Sequence, residues 1–142
     1  MLVDTILQTK GVLVHTLPES GSLGDAVALL NRHNIGAVVI TDTGGTIVGI
    51  LSERDIVRRL GTDPATALAL RIGDCMTRGV VTCTRQTPIA DVMERMTRHR
   101  IRHMPVAEGD QLIGIVSIGD VVKLKIEQAE HEAEVLREYI AS

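Results

Sequence analysis

Aromatic residues are almost missing from this chain: one Tyr, no Phe and no Trp in 142 residues. The core must therefore be aliphatic, and any bound ring has to lie between aliphatic side chains, because the aromatic platforms of single-strand binders are absent. A surplus of positive charge is missing too. Fifteen Lys and Arg stand against 18 Asp and Glu, for a formal net charge of -3, which argues against a general nucleic-acid binder. No apolar run approaches the roughly 18 residues that span a bilayer, and the N-terminus lacks the charged and apolar regions of a signal peptide, so a cytoplasmic location is expected. Cysteine is scarce: Cys75 and Cys83 form no CxxC pair and do not suggest a structural zinc site. His15 and His33 have no metal-ligand partners at useful spacing, and no nucleophile with a base, P-loop or metal cluster is present. Neither a metal site nor a catalytic residue is expected.

What the chain has instead is a repeat. Gly49-Ile50-Leu51-Ser52-Glu53-Arg54-Asp55 returns as Gly114-Ile115-Val116-Ser117-Ile118-Gly119-Asp120. Laying residue n on n+66 pairs Leu23 with Ile89, Asp25 with Asp91, Arg32-His33 with Arg98-His99 and Ile35 with Ile101. After one deletion near Gly109 the shift becomes 65, and Ser52 and Asp55 meet Ser117 and Asp120. A match over roughly forty positions with one gap marks two similar units.

Each unit reads β-α-β-β-α. A short strand (Val12-Leu13-Val14 or Val80-Val81-Thr82) precedes a helix opened by Ser22 with Asp25, or by Thr87 with Pro88 as first helical residue. An apolar strand from Ile35 to Ile40, or Ile101 to Val106, turns at Thr43-Gly44-Gly45, or Glu108-Gly109-Asp110. It pairs with Ile47 to Leu51, or Leu112 to Val116, and a helix starts at Ser52 or Ser117. The class is α/β or α+β with small sheets. The units occupy residues 1–62 and 73–124. A linker, 63–72, holds the helix break at Pro64 and a bland helical stretch from Ala65 to Ala69, and an amphipathic helix ends the chain over 125–142.

Two readings fit Ser-x-x-Asp at a helix start. It is a capping box, with Asp55 and Asp120 favouring the helix dipole; or it holds a ligand, the carboxylate accepting both hydroxyls of a ribose while free N–H groups meet a phosphate. Recurrence in both units, each behind a strand glycine that lets a ligand approach the backbone, favours the second. Arg54 shares a helix with Asp55 and can reach a phosphate. Arg58, Arg59, Arg98, His99 and Arg100 read as surface charge or, for the first two, as a subunit contact.

The repeat, the Gly-Ile-x-Ser-x-x-Asp clause and the inter-unit segment Ile72-Gly73-Asp74-Cys75-Met76-Thr77 closely resemble a CBS-domain pair, or Bateman module, from about Val3 to Leu124. The resemblance implies tandem units packed about a pseudo-twofold axis, with two clefts that bind adenosine-bearing ligands such as AMP, ADP, ATP, NAD or S-adenosylmethionine. It implies that Asp55 with Ser52, and Asp120 with Ser117, hold the ribose. Adenine contacts would come from Thr9 to Val12 and from Thr77 to Val80. Phosphates would meet basic residues on the opposite unit's long strand. The Asp55 cleft would then face Arg102 and His103, unless these form only a solvated basic edge, whereas the Asp120 cleft would face Gly36 and Ala37. One good site and one weak or differently used site follow.

The function this implies is a stand-alone regulatory sensor, of energy or redox state, that needs no cofactor beyond its adenine-nucleotide ligand and signals in trans to an effector protein. A homodimer is implied, with the apolar helices Leu23–Leu30 and Ile89–Met96 as candidate faces. The alternative is an interaction homodimer with vestigial clefts that docks a protein partner. In the last helix Val122, Ile126, Ala129, Ala133, Leu136 and Ile140 form a narrow a/d stripe amid glutamates; packing on a neighbouring subunit and packing on its own domain both fit.

Overall fold

In chain order, a computed structural model describing residues 1–142 has α1 (Val3–Lys10), β1 (Thr16–Leu17), α2 (Leu23–His33), β2 (Ala37–Thr41), β3 (Ile47–Ser52) and α3 (Glu53–Thr62). A 3-10 turn at Ala67–Ala69 leads to α4 (Ile72–Cys75), α5 (Ile89–His99), β4 (His103–Glu108), β5 (Gln111–Ser117) and α6 (Ile118–Ala141). Ser22 caps α2 as its sequence demands: its hydroxyl accepts from the Asp25 amide at 3.1 Å, and Asp25 Oδ2 accepts from the Ser22 amide at 2.9 Å. This reciprocal box satisfies two N–H groups that a helix start leaves free. Helix α5 is capped by Pro88, not by Thr87, whose hydroxyl accepts from the Thr84 amide at 2.9 Å. Both helices end in a left-handed residue at equivalent places, Asn34 (φ 51) and Arg100 (φ 55).

The hairpins also repeat, down to a register irregularity at Ile40/Thr41 in one and Val106/Ala107 in the other. Asp42 Oδ1 organises the first turn by accepting from the amides of Gly44 and Thr46, both at 2.9 Å. The expected opening strands are displaced. Val12–Val14 is irregular, with Val12 53% and Leu13 78% exposed; pairing starts only at Thr16–Leu17, which runs parallel to β2. Val80–Thr82 is likewise unpaired, and a single bridge from Cys83 to Val106 takes the strand's place. An apolar run read from sequence need not find a ladder partner; here both runs are connectors leading out of the helices before them, the first largely exposed and the second half-buried with Val81 against the second core. His15 and His33, far apart in sequence, stack with ring centroids 3.6 Å apart.

The two units exchange their leading helices. Helix α1 precedes the first unit in the chain, yet Val3, Ile6 and Leu7 are buried in the core of the second with Val92, Met104 and Val121. Conversely, Ile72 of α4 and the following Met76 are buried in the first core with Leu23, Val38 and Leu51. Backbone bonds mirror the exchange. Val3 N to Thr87 O and Ile89 N to Met1 O, both 2.9 Å, match Ile72 N to Gly21 O (2.8 Å) and Leu23 N to Leu70 O (2.9 Å). A shift of 69 therefore lays α1 on α4, setting Leu7 on Met76. These two side chains explain the strand glycines. Gly49 and Gly114 are not openings for a ligand; they are buried in mid-strand, and a Cβ there would collide with Met76 and, at 2.9 Å, with Leu7 Cδ2.

Neither core contains an aromatic residue. On the two helices offered as dimer faces, Leu23, Leu30, Ile89 and Met96 are buried in their own units, while Val27, Leu29 and Met93 stay half-exposed. Helix α6 lays Val121 and Leu124 against the second core and then runs on with its remaining apolar residues largely exposed. No helix is long and apolar enough to cross a membrane.

Candidate functional site

The end of β3 and the first turn of α3 bring Ser52, Arg54 and Asp55 to the wall of a cavity of about 380 Å³. The opposite wall is built by the second unit, with Arg102 and His103 at the start of β4. Thr77, Gly79 and Val80, on the segment that follows α4, close one side. Thr77 is pinned there because it and Ile50 exchange two backbone hydrogen bonds of 2.9 Å. The half-exposed Asp55 carboxylate is held only by neutral donors: the Ser52 amide at 2.9 Å, the Ser52 hydroxyl at 3.1 Å and, more loosely, the Thr77 hydroxyl at 3.4 Å. No cation forms an ion pair with it.

Positive charge stands further off, around the rim. Arg54 donates to the Arg100 carbonyl across the cleft at 3.3 Å, and Arg58, His99 and Arg100, read from sequence as surface charge, also line the cavity. Arg102 is exposed, its side chain free of protein partners, while its carbonyl accepts from the Ile118 amide at 2.8 Å. Burial lowers the His103 pKa, aided by the Lys10 charge; Glu53 and Asp120 oppose the shift and Arg102 adds to it. The ring is therefore neutral at pH 7.

The second cleft starts from the same clause and ends differently. The Ser117 amide donates to Asp120 Oδ2 at 2.8 Å, and the Asp120 amide donates to the Ser117 hydroxyl at 3.2 Å. Here Lys10, at the end of α1, reaches the carboxylate: its Nζ lies 2.7 Å from Asp120 Oδ2 and 3.0 Å from the Ile115 carbonyl. Burial opposes ionisation of Asp120, but the hydrogen bonds from Lys10 and Ser117 and the Lys10 charge prevail and hold its pKa below the ordinary value. Thr9 turns its hydroxyl back to the Thr5 carbonyl at 3.3 Å on an exposed face of α1, and Val12 is on the surface. Seven of the eleven residues singled out from sequence thus meet in one cavity, and Thr9, Val12, Ser117 and Asp120 do not join it.

Lys10 lies within the Thr9–Val12 segment expected to meet adenine, but its pairing with Asp120 was not foreseen, because α1 aligns with α4 and not with its own unit. The shift of 69 places Lys10 on Gly79: the open cleft has a glycine where the other has a lysine. The position opposite Asp120 on the first unit's long strand also carries no basic side chain. Gly36 sits where the second unit has Arg102, and a Cβ there would lie 2.6 Å from Glu53 Oε1 and 3.1 Å from His103 Cε1.

The family model for the CBS domain matches residues 9–62 and 72–127. The chain belongs to the CBS-domain family. It is 37% identical over 120 residues to a mitochondrial CBS domain-containing protein, CBSX3, of Arabidopsis thaliana; the match takes in 82% of this chain and 58% of that protein, so the chain spans little more than half of that relative. Among solved structures, a CBS-domain containing protein from Agrobacterium tumefaciens superposes with a TM-score of 0.85 at 42% identity, over 88% of this chain and 99% of that one. The CBS domain pair of protein MJ0100, in complex with 5-methylthioadenosine and S-adenosyl-L-methionine, superposes with a TM-score of 0.81 at 29% identity, over 90% and 98%. Fold and tandem organisation are those of a CBS pair.

Proposed function

We propose that this CBS pair is a non-catalytic regulatory module that takes one adenosine-bearing ligand in the Asp55 cleft and signals in trans through the shift it causes between the two units. The observation that carries this reading is Asp55 itself. A carboxylate held by neutral donors at the mouth of an open cavity keeps acceptor capacity for two ribose hydroxyls. The cavity spans both units, so a ligand filling it contacts both and biases their relative position. A related pair binds S-adenosyl-L-methionine and 5-methylthioadenosine, which supports an adenosyl ligand. The lining here, with Arg54, Arg58, Arg100 and Arg102 against Glu53 and Asp55, favours a phosphate-bearing one: AMP, ADP, ATP or NAD over the cationic S-adenosylmethionine. Glycine at 79 and aliphatic Val80 leave room for a ring without an aromatic platform.

Isothermal calorimetry and thermal shift with AMP, ADP, ATP, NAD and S-adenosylmethionine test it. At a ligand concentration about 100 times Kd, binding adds about 2.7 kcal/mol to stability. Asp55→Ala is expected to weaken binding at least about 100-fold and, by removing the acceptor of the Ser52 amide, to lower the unliganded melting point by a few degrees, about 1 kcal/mol. Binding that survives Asp55→Ala unchanged, or none at all in wild type, ends this reading and leaves an interaction protein with unused clefts.

A further inference from the structure

Helix α6 is 24 residues long, and only its beginning is anchored. Val121 and Leu124 pack on the second unit. The stripe Val122, Ile126, Ala129, Ala133, Leu136 and Ile140 points elsewhere: Val122 is 45%, Ile126 53%, Leu136 57% and Ile140 74% exposed. With Val122 at d, the residues fall d-a-d-a-d-a. Isoleucine stands at two of three a positions and leucine at the last d, a choice that suits two parallel strands.

We infer that α6 pairs in parallel with α6 of a second copy of this chain. The flanking charges select this partner and this direction. Lys125 and Glu132 occupy g, Glu130 and Arg137 occupy e, and none of the four forms an ion pair within the chain. In a parallel pair each g residue faces the e residue five positions on in the other copy. Lys125 then meets Glu130 of the partner subunit, and Glu132 meets Arg137 of the partner subunit, twice over by symmetry. An antiparallel pair that keeps the same apolar layers sets Glu130 against its own copy, Glu132 against its own copy and Lys123 against Arg137. The charged g–e contacts are thus attractive in the parallel pair, whereas the antiparallel contacts are repulsive or neutral. The seam uses the face of α6 turned away from Val121 and Leu124, so it forms without disturbing either core or the Asp55 cleft.

Sedimentation of the full chain over a wide concentration range tests the pairing. Wild type is expected to be a dimer and Leu136→Glu a monomer. Lys125→Glu should raise the dissociation constant about tenfold, by setting Glu against Glu130 at both ends of the two-fold. Adding Glu130→Lys to that variant should restore it, which a merely structural role for either residue would not do. Ala133→Cys should cross-link to its own copy under mild oxidation, since an a residue faces itself only in a parallel seam, while wild type with Cys75 and Cys83 should not. A chain that is monomeric throughout, a dimer indifferent to Leu136→Glu, a charge swap that fails to restore association, or an uncross-linked Ala133→Cys dimer would each overturn the inference. Loss of nucleotide binding with the dimer intact would touch only the functional proposal.

Discussion

The two clefts begin as copies and end as opposites. Each puts a serine and an aspartate at the junction of a strand and a helix, with the serine amide 2.8–2.9 Å from the carboxylate. Asp55 looks into a cavity of about 380 Å³ with arginines on its far side, whereas Asp120 is closed on by Lys10 at 2.7 Å. The difference lies in what the other half of the chain delivers to an identical frame: Gly79 or Lys10 from the leading segment, and Arg102 or Gly36 from the opposite strand. A duplicated fold need not yield a duplicated site, because each cleft borrows half its wall from a partner free to diverge.

The comparison breaks most visibly if Lys10 is removed. In Lys10→Met the Asp120 carboxylate loses its only cation, and the cleft comes to resemble its sibling. The expected outcome is a second molecule of nucleotide bound per chain, more weakly than the first because Gly36 offers no charge to a phosphate. The lost ion pair is partly exposed, so the cost in stability should be no more than about 1 kcal/mol. Calorimetric stoichiometry checks this: an unchanged count of ligands would show that Lys10 is not what separates the clefts.

A smaller effect sharpens the contrast from the other side. Arg102→Ala gives the first cleft the character of the second at the position of Gly36. A charge-assisted hydrogen bond to phosphate, discounted for the exposure of Arg102, predicts about a tenfold loss of affinity for AMP or ATP and little change for adenosine. Equal losses for nucleotide and nucleoside would move the phosphate away from Arg102 and towards Arg54 or Arg58.

How far these features could be read from sequence follows the range of the interactions that made them. The helix caps and hairpins came from patterns within a few residues, and Ser22 with Asp25 formed the box that spacing foretells. The resemblance to a CBS pair, which the repeat carries, then implied that Asp55 and the Arg102 strand face one cleft, and both line one cavity. The exchanged helices were illegible for a physical reason. Eight residues at the N-terminus with three buried side chains carry no mark of which core receives them, and a lysine at a helix end reads as an ordinary response to the helix dipole. The strand glycines misled in the same way: glycine in a strand signals close approach, but not whether a ligand or, as here, Met76 and Leu7 makes it. Val12–Leu13–Val14 looked like a strand because composition reports apolarity and not the presence of a neighbour with free N–H groups.

The smallest predicted effect concerns His103, the side chain that feels both clefts: Lys10 and Asp120 act on it from one side, Glu53 and Arg102 from the other. Its folded pKa lies below the ordinary value of 6.5, first through burial and then through the Lys10 charge. In the unfolded chain it titrates normally, so its neutral form contributes to stability fully above about pH 6.5, and that contribution is lost as the pH falls below it, where the unfolded state takes up the proton first. Asp120, with its own pKa lowered, does not titrate in that window. A phosphate bound beside Arg102 reverses the preference at His103, because the anion favours imidazolium, and binding then takes up a proton. Affinity for AMP should accordingly rise a few-fold more between pH 7.5 and 6.0 in wild type than in His103→Gln. The subtraction removes the titration of the nucleotide's own phosphate, which is common to both proteins. Lys10→Met, by withdrawing the positive charge that acts most strongly on His103, should shift the rise to higher pH. A slope identical in wild type and His103→Gln would mean that the phosphate does not reach the shared wall, and that the two clefts are electrically independent.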